Sequence, residues 1–376
     1  MDATAEEIAR LPGGGGMRES PEGGHLEFPC NGCGATLSFA PGAQALACAH
    51  CGHKEEIPQS KEGVVEHSFE DYRRAKATGW GTETKTYDCR GCGAKTTVEA
   101  SAAAFTCPFC ASPQVDPTPD QDRLRPESVL PFAVEKNRVL DRFKAWVSSL
   151  WFRPNALKKL ATLDAIRGVY IPHWTYDSAT HSFWDAQAGY HYYVDETYRD
   201  AQGKTQTRRV QKTRWERVSG THDAFFDDVL VHASRGVQKG LMSEIYPFDT
   251  KTLAAYDPRF LAGWAAEDYQ REMPDCWPEA KSYIDSRIRS AITSKIPGDT
   301  HRDLSVRTSF FNRTWKLCLL PVFVASYRYG GKVWPCLVNG QTGEVAGEAP
   351  VSWAKIGALV ATIAAVLIIV LKLASG

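Results

Sequence analysis

What this 376-residue chain lacks narrows its function first. It has no net charge, with 44 Lys+Arg against 44 Asp+Glu, so nothing in the global electrostatics draws it to nucleic acid or an anionic surface. No basic stretch followed by an apolar run opens it; MDATAEEIARLPGGGGMRESPEGG excludes a secretory signal and predicts a disordered lead-in over residues 1–27. There is no G-x-x-x-x-G-K-[ST] to cradle nucleotide phosphates. His301-Arg302-Asp303-Leu304 imitates a kinase catalytic loop, but the asparagine that should follow is Thr308, and no glycine-rich loop or Asp-Phe-Gly accompanies it. Asp223, Asp227 and Asp228 lack an adjacent His/Glu zinc frame, and no nucleophile–base spacing stands out. These absences argue against an enzyme. A mean hydropathy of -0.33 excludes a polytopic membrane protein, and 43% apolar with 23% charged residues excludes a wholly disordered or collagenous chain.

What is present in excess is cysteine and tryptophan, 11 of each. Eight cysteines fall into two identical frames, Cys30-x2-Cys33-x14-Cys48-x2-Cys51 and Cys89-x2-Cys92-x14-Cys107-x2-Cys110, repeating with a period of 59. Glycines at 32, 34, 91 and 93 let the backbone turn sharply, so that amides face the thiolates. Four thiolates at this spacing satisfy tetrahedral zinc and leave no open position for catalysis. Disulfides would need an oxidising compartment, and a thioredoxin-like pair would need one C-x-x-C at a helix start. An iron–sulfur cluster remains chemically possible, but the paired knuckles favour zinc. The expectation is two structural Zn2+ sites in zinc ribbons at 28–58 and 87–116, joined by a linker with a short helix at 59–86. His50 and His53 are left to solvent or to contacts outside the metal. Between His25 and Asp116 acidic residues outnumber basic ones by eleven to eight, and each four-thiolate site adds further negative charge, which disfavours nucleic-acid binding.

After a Pro-rich linker at 117–128, the pattern predicts an α+β domain with an antiparallel sheet over 129–350. It opens with a short strand, VLPFAV, and a helix with Val139, Leu140, Phe143, Trp146, Val147, Leu150 and Trp151 inward. Aromatic strands follow at 168–178, at 189–198 and beyond an Ala-Gln-Gly-Lys turn. A helix is expected from Pro278 to about Ile296 with Tyr283, Ile284, Ile288, Ala291 and Ile292 inward, then hairpins turning at Gly330-Gly331 and Asn339-Gly340. Cys276, Cys318 and Cys336 read as buried thiols. From Arg199 to Arg217 seven basic residues face two acidic ones. On a hairpin these suit anionic lipid headgroups, an acidic partner, or simply a solvated edge that resists aggregation.

Near the C-terminus, Ile356–Leu371 is free of charge and bracketed by Lys355 and Lys372. As a helix it measures about 24 Å, and snorkelling lysines with Trp353 at the interface make up the bilayer core. A tail anchor over 354–373 is expected, single-pass in the cell inner membrane with the bulk of the chain cytoplasmic. Gly357, Ala361 and Ala365 form a small-residue stripe that suits self-association of the span.

The paired frames, YIPHWTYDS, TRWERVSGTHDAFFDDVLVHAS, VNGQTGEVAGEAPVSWAKI and the terminal span resemble a bacterial family of membrane-anchored double-zinc-ribbon proteins, also known as TFIIB-type zinc-ribbon or primosomal protein N′ (PriA helicase)-like proteins. The resemblance covers roughly residues 28–372, and the eight cysteines carry over one by one. It implies a role in membrane stress, bringing a PspA-type protein to the membrane. The helicase motor motifs are absent. The sequence therefore supports a non-enzymatic, membrane-tethered adaptor for cytosolic protein partners. A nucleic-acid-associated factor without a motor is the alternative.

Overall fold

The computed structural model describes residues 28–58, 63–74, 84–90, 94–99, 107, 115–118, 124–154, 163–199, 201, 203–329 and 332–374. The lead-in at 1–27, Cys92, Cys110 and the Gly330-Gly331 turn lie outside them.

The first cysteine frame builds a four-stranded sheet from β1 (Phe28–Pro29), β2 (Thr36–Ala40), β3 (Ala45–Cys48) and β4 (Lys54–Glu55). In β2 the period of two is plain, with Leu37 and Phe39 buried between exposed neighbours. This ribbon is docked on the rest of the chain. Phe39 N–H donates to Ala262 O (3.0 Å), Trp264 Nε1 donates to Phe39 O (3.2 Å), and Gln44 Nε2 donates to Phe132 O (2.7 Å). Leu37, Phe39, Leu46 and Ile57 share one core with Tyr170, Leu319 and Phe323.

The expected linker between the frames is in part a docked segment. β5 (His67–Ser68) and a 3-10 turn, Phe69–Arg74, lie against the large sheet. The second frame contributes β6 (Thr84–Cys89), β7 (Lys95–Glu99) and β8 (Val115–Thr118). Next come β9 (Ser128–Val129) and helix α1 (Lys136–Ser149). In α1 only Val139, Phe143 and Val147 are buried; Leu140 and Trp151, expected inward, are exposed.

Three very long strands form the body: β10 (Leu163–Arg199, 37 residues), β11 (Thr205–His232, 28 residues) and β14 (Thr300–Tyr329, 30 residues). β10 lies between the other two, antiparallel to both. Between β11 and β14 run α2 (Lys239–Glu244), β12 (Ala254–Ala255), β13 (Ala265–Glu267) and α3 (Met273–Thr293). β15 (Lys332–Asn339), β16 (Val345–Gly347) and α4 (Trp353–Ala374) complete the chain. The sheet is mixed rather than antiparallel, because β13 runs parallel to β10 and β9 parallel to β14, each reached by a crossover. The second frame joins it through the β7–β13 pair.

β10 continues through a stretch that carries no obvious strand pattern, Ser178 to Ala188. Ser178, Thr180, Ser182, Trp184, Ala186 and Ala188 alternate and are buried, and α3 packs its apolar stripe into the same core as Trp184 and Ala186. Register shifts in the ladders fall beside Asp228, Asp303 and Asn312. All three have positive φ, a conformation that Asp and Asn tolerate at bulges. Helix α3 starts at Met273 with Pro274 in its first turn, so Pro278 lies inside it. Its buried stripe is Cys276, Ala280, Ile284, Ile288 and Ile292, strictly four apart; Tyr283 sits one step off that stripe and faces solvent.

Candidate metal centre and C-terminal helix

The first frame folds as two knuckles of the same design. Cys30 N–H donates to Ala35 O (2.7 Å) and Gly34 N–H to Cys30 O (2.8 Å); Cys48 N–H donates to His53 O (2.8 Å) and Gly52 N–H to Cys48 O (2.9 Å). Gly34 and Gly52 both take φ +76°, a left-handed turn that glycine adopts without strain. The two turns bring four sulfurs within 4.8 Å of one another. Cys30 Sγ lies 3.6 Å from Cys51 Sγ, and Cys33 Sγ 3.5 Å from Cys48 Sγ. Zinc–sulfur bonds of about 2.3 Å at tetrahedral angles would set sulfurs about 3.8 Å apart, so the cluster fits a metal ion of this class. None of the four is in a disulfide.

Backbone amides point at the sulfurs. Gly32 N–H donates to Cys30 Sγ at 3.3 Å. The amide of Cys51, aided by that of His50, pushes the Cys48 thiol down to about 6, so one thiolate forms readily near neutral pH. Cys30 and Cys48 are buried, while Cys33 and Cys51 face solvent. His53 Nε2 lies 3.3 Å from Glu55 Oε1, which also accepts from Asn31 Nδ2 at 2.8 Å. His53 therefore has a carboxylate partner, in keeping with its expected place outside the metal's ligands.

In the second frame, Cys89 and Cys107 are buried together with Ala94. Cys89 N–H donates to Ala94 O at 2.9 Å, the same bond that opens both knuckles of the first frame. Arg167 Nη1 donates to Cys107 O at 2.8 Å and ties this frame to β10. Cys92 and Cys110 are outside the described residues.

The C-terminal helix is long and apolar enough to cross a membrane. α4 has 22 residues, about 33 Å of helix. Its 353–371 stretch has a hydropathy of 2.6, and none of it is buried. The one hydroxyl in that stretch, Thr362, donates back to Ala358 O at 2.8 Å. At its base Ser352 N–H donates to Phe152 O (2.8 Å) and Lys355 Nζ to Trp151 O (3.0 Å). Trp151 and Trp353 are there 76% and 79% exposed, with Phe152 beside them. The outward turn of Trp151 thus gathers exposed aromatics at the foot of the helix, the composition of a membrane interface.

Two features were not anticipated from the residues. Oxygens of Glu66, Asp177 and Asp227 approach within 4.8 Å. Of the three only Asp227 stands out along the chain, since Glu66 and Asp177 lie far from it. A cation is already present: Lys316, its side chain 5% exposed, contacts Glu66 Oε1 at 2.9 Å and Asp228 Oδ1 at 2.5 Å. Asp177 accepts from Asp228 N–H (2.6 Å) and Thr314 Oγ1 (2.9 Å). Burial, with Glu66 beside it, pushes Asp177 up to about 7. The cluster clamps segment 63–74 onto the sheet. The second feature is the internal order of the basic hairpin: Glu196 pairs with Lys212 (2.8 Å) and Arg208 (3.5 Å), and Arg214 pairs with Glu216 (2.9 Å).

Over 363 residues, 93% of this chain and 97% of the relative, the sequence is 28% identical to the uncharacterized protein YdjG of Bacillus subtilis (strain 168). No family model matches the chain and no solved structure matches it. The chain is thus similar to YdjG along almost the whole length of both proteins.

Proposed function

We propose that this protein is a non-enzymatic, membrane-tethered adaptor. Helix α4 is the tail anchor in the inner membrane, both cysteine frames hold structural zinc, and the cytoplasmic body presents a surface to a protein partner. The observation that carries the reading is a wholly uncovered apolar helix joined to a body that holds a four-thiolate cluster without an open ligand position. The resemblance to zinc-ribbon membrane proteins adds the partner class, a PspA-type protein acting in membrane stress. The second frame repeats the spacing of the first, and its Cys89–Ala94 bond supports the same metal there.

Metal analysis of purified full-length protein is expected to give two zinc ions per chain, falling by one in Cys33→Ser and by two when Cys92→Ser is added. Iron with visible absorbance in the wild type overturns the metal assignment. Affinity capture from solubilised membranes is expected to bring down the partner with or without nuclease. Capture that nuclease abolishes favours the other reading, a nucleic-acid-associated factor, for which the basic hairpin speaks and the acidic frames speak against.

A further inference from the structure

Strands β10 and β11 run on past everything else described. β14 begins at Thr300, opposite Gly189, and α3 ends at Thr293. From the Tyr190/Arg214 pair to the Arg199/Thr205 pair only two strands remain, an arm about 30 Å long. A two-stranded ribbon is marginal alone, and this one is held by stacked cations: Arg209 over Tyr193 (4.7 Å), Arg208 over Tyr198 (5.3 Å) and Arg214 over Tyr190 (5.6 Å).

β11 pairs with β10 alone, so among the described residues its outer edge meets no strand. Along Thr205–Trp215 that edge strand carries Arg208, Arg209, Lys212 and Arg214 and no acidic residue. An open edge is a template of backbone donors and acceptors, and here its charge selects the occupant. Parallel pairing with a second copy would stack like charges, and antiparallel pairing would send the two α4 helices to opposite ends of the joined sheet. A bilayer is disfavoured by position. α4 leaves the body near β16, level with Ile166–Gly168 through β15 and β14, and the arm begins more than twenty residues further along β10, about 75 Å of strand.

We propose that β11 over Thr205–Trp215 is a docking edge that takes an extended acidic segment of a partner protein as an added strand. Arg208, Lys212 and Arg214 share one face of the strand, so the segment carries acidic residues at alternate positions, separated by β-forming ones. The exposed pairs with Glu196 and Glu216 are weak enough to be exchanged. This deepens the adaptor reading and rests on it for its purpose. The two fail separately, because fractionation and metal content test the tether and the zinc, and neither depends on this edge.

The test uses the full chain in phosphatidylcholine nanodiscs and a labelled peptide, Thr-Glu-Val-Glu-Val-Glu-Val-Glu-Thr, read by fluorescence anisotropy. Binding is expected, with slowed amide exchange at 205–215. It should weaken at least tenfold when alternate peptide nitrogens are methylated, and again in R208E/K212E/R214E. That variant should instead bind the peptide with lysine in place of glutamate. Equal binding of the methylated peptide, which would leave charge alone, overturns the proposal. So does absence of peptide binding beside arm-dependent binding to phosphatidylglycerol vesicles.

Discussion

The ammonium of Lys316, enclosed between Glu66 and Asp228, neutralises a region that also holds Asp177. Removing one partner of a buried ion pair leaves uncompensated charge. Asp228 is mostly buried while Glu66 is partly solvated, so Lys316→Met is expected to cost about 2–3 kcal/mol, below the full buried-pair range, read as a lower urea midpoint. An unchanged midpoint would show the cluster to be solvated after all. Asp177 adds a pH dependence. Its carboxyl is raised to about 7 from 3.8, so between those values the folded chain keeps a proton that the unfolded chain has lost. Stability from this group is present at low pH and falls as pH rises toward 7, at about 1.4 kcal/mol per unit. His232 works in the opposite direction. Burial, then Arg271, holds it at about 4 instead of 6.5, so its contribution is present above 6.5 and is lost as pH falls toward 4. His173 is lowered in the same sense. Asp177→Asn removes the first effect and leaves that of the two histidines in place. Relative to wild type, the variant should gain stability steadily from about pH 4 to 7 in chemical-denaturation series; a difference that does not change with pH refutes the assignment.

At the scale of elements, α3 is the support on which one face of the long sheet rests. Ile288 lies in the middle of its buried stripe, and Ile288→Ala is expected to cost about 2–5 kcal/mol. The turn after α3 is equally constrained. Gly298 has φ +91°, and a Cβ there would meet Gly189 O at 2.7 Å. Gly298→Ala should therefore destabilise more than an exposed Gly→Ala change elsewhere, such as Gly240→Ala, where a Cβ meets nothing; thermal melts of the pair decide it. The sequence made α3 legible because apolar residues recur every four positions. Its start was misplaced because two prolines, Pro274 and Pro278, compete for the first turn and only packing selects between them. The knuckles were legible because metal ligation forces a spacing that no other chemistry needs. The middle of β10 was not, since apart from Trp184 its buried face over Ser178–Ala188 is made of serine, threonine and alanine, which carry no hydrophobic alternation to read. Nor does chain spacing reveal the meeting of Glu66, Asp177 and Asp227, which depends on β5 docking against β14.

Across the whole molecule, the first cysteine frame and the sheet are expected to melt together, because Leu37, Phe39 and Ile57 lie in one core with Tyr170 and Phe323. A strong chelator is expected to lower the single unfolding transition of the body. A separate low-temperature step with the main transition unmoved would show the ribbon to be independent. Deleting residues 353–376 should act in the contrary way. α4 buries none of its apolar stretch, so the truncated protein should leave the membrane pellet with its melting temperature unaltered, whereas a soluble full-length protein would remove the tether.

The long ladder between β10 and β14 also has a consequence in time. Its partners are far apart in the chain: Leu163 waits for Tyr327 and Gly189 for Thr300. Contacts of such separation close slowly. A ribosome adding about 5–20 residues per second completes the β10–β11 hairpin several seconds before β14 exists, and during that interval one whole side of β10 is an unoccupied template. Only some two dozen residues separate the end of β14 from Trp353. The body can therefore close only moments before the apolar helix is made.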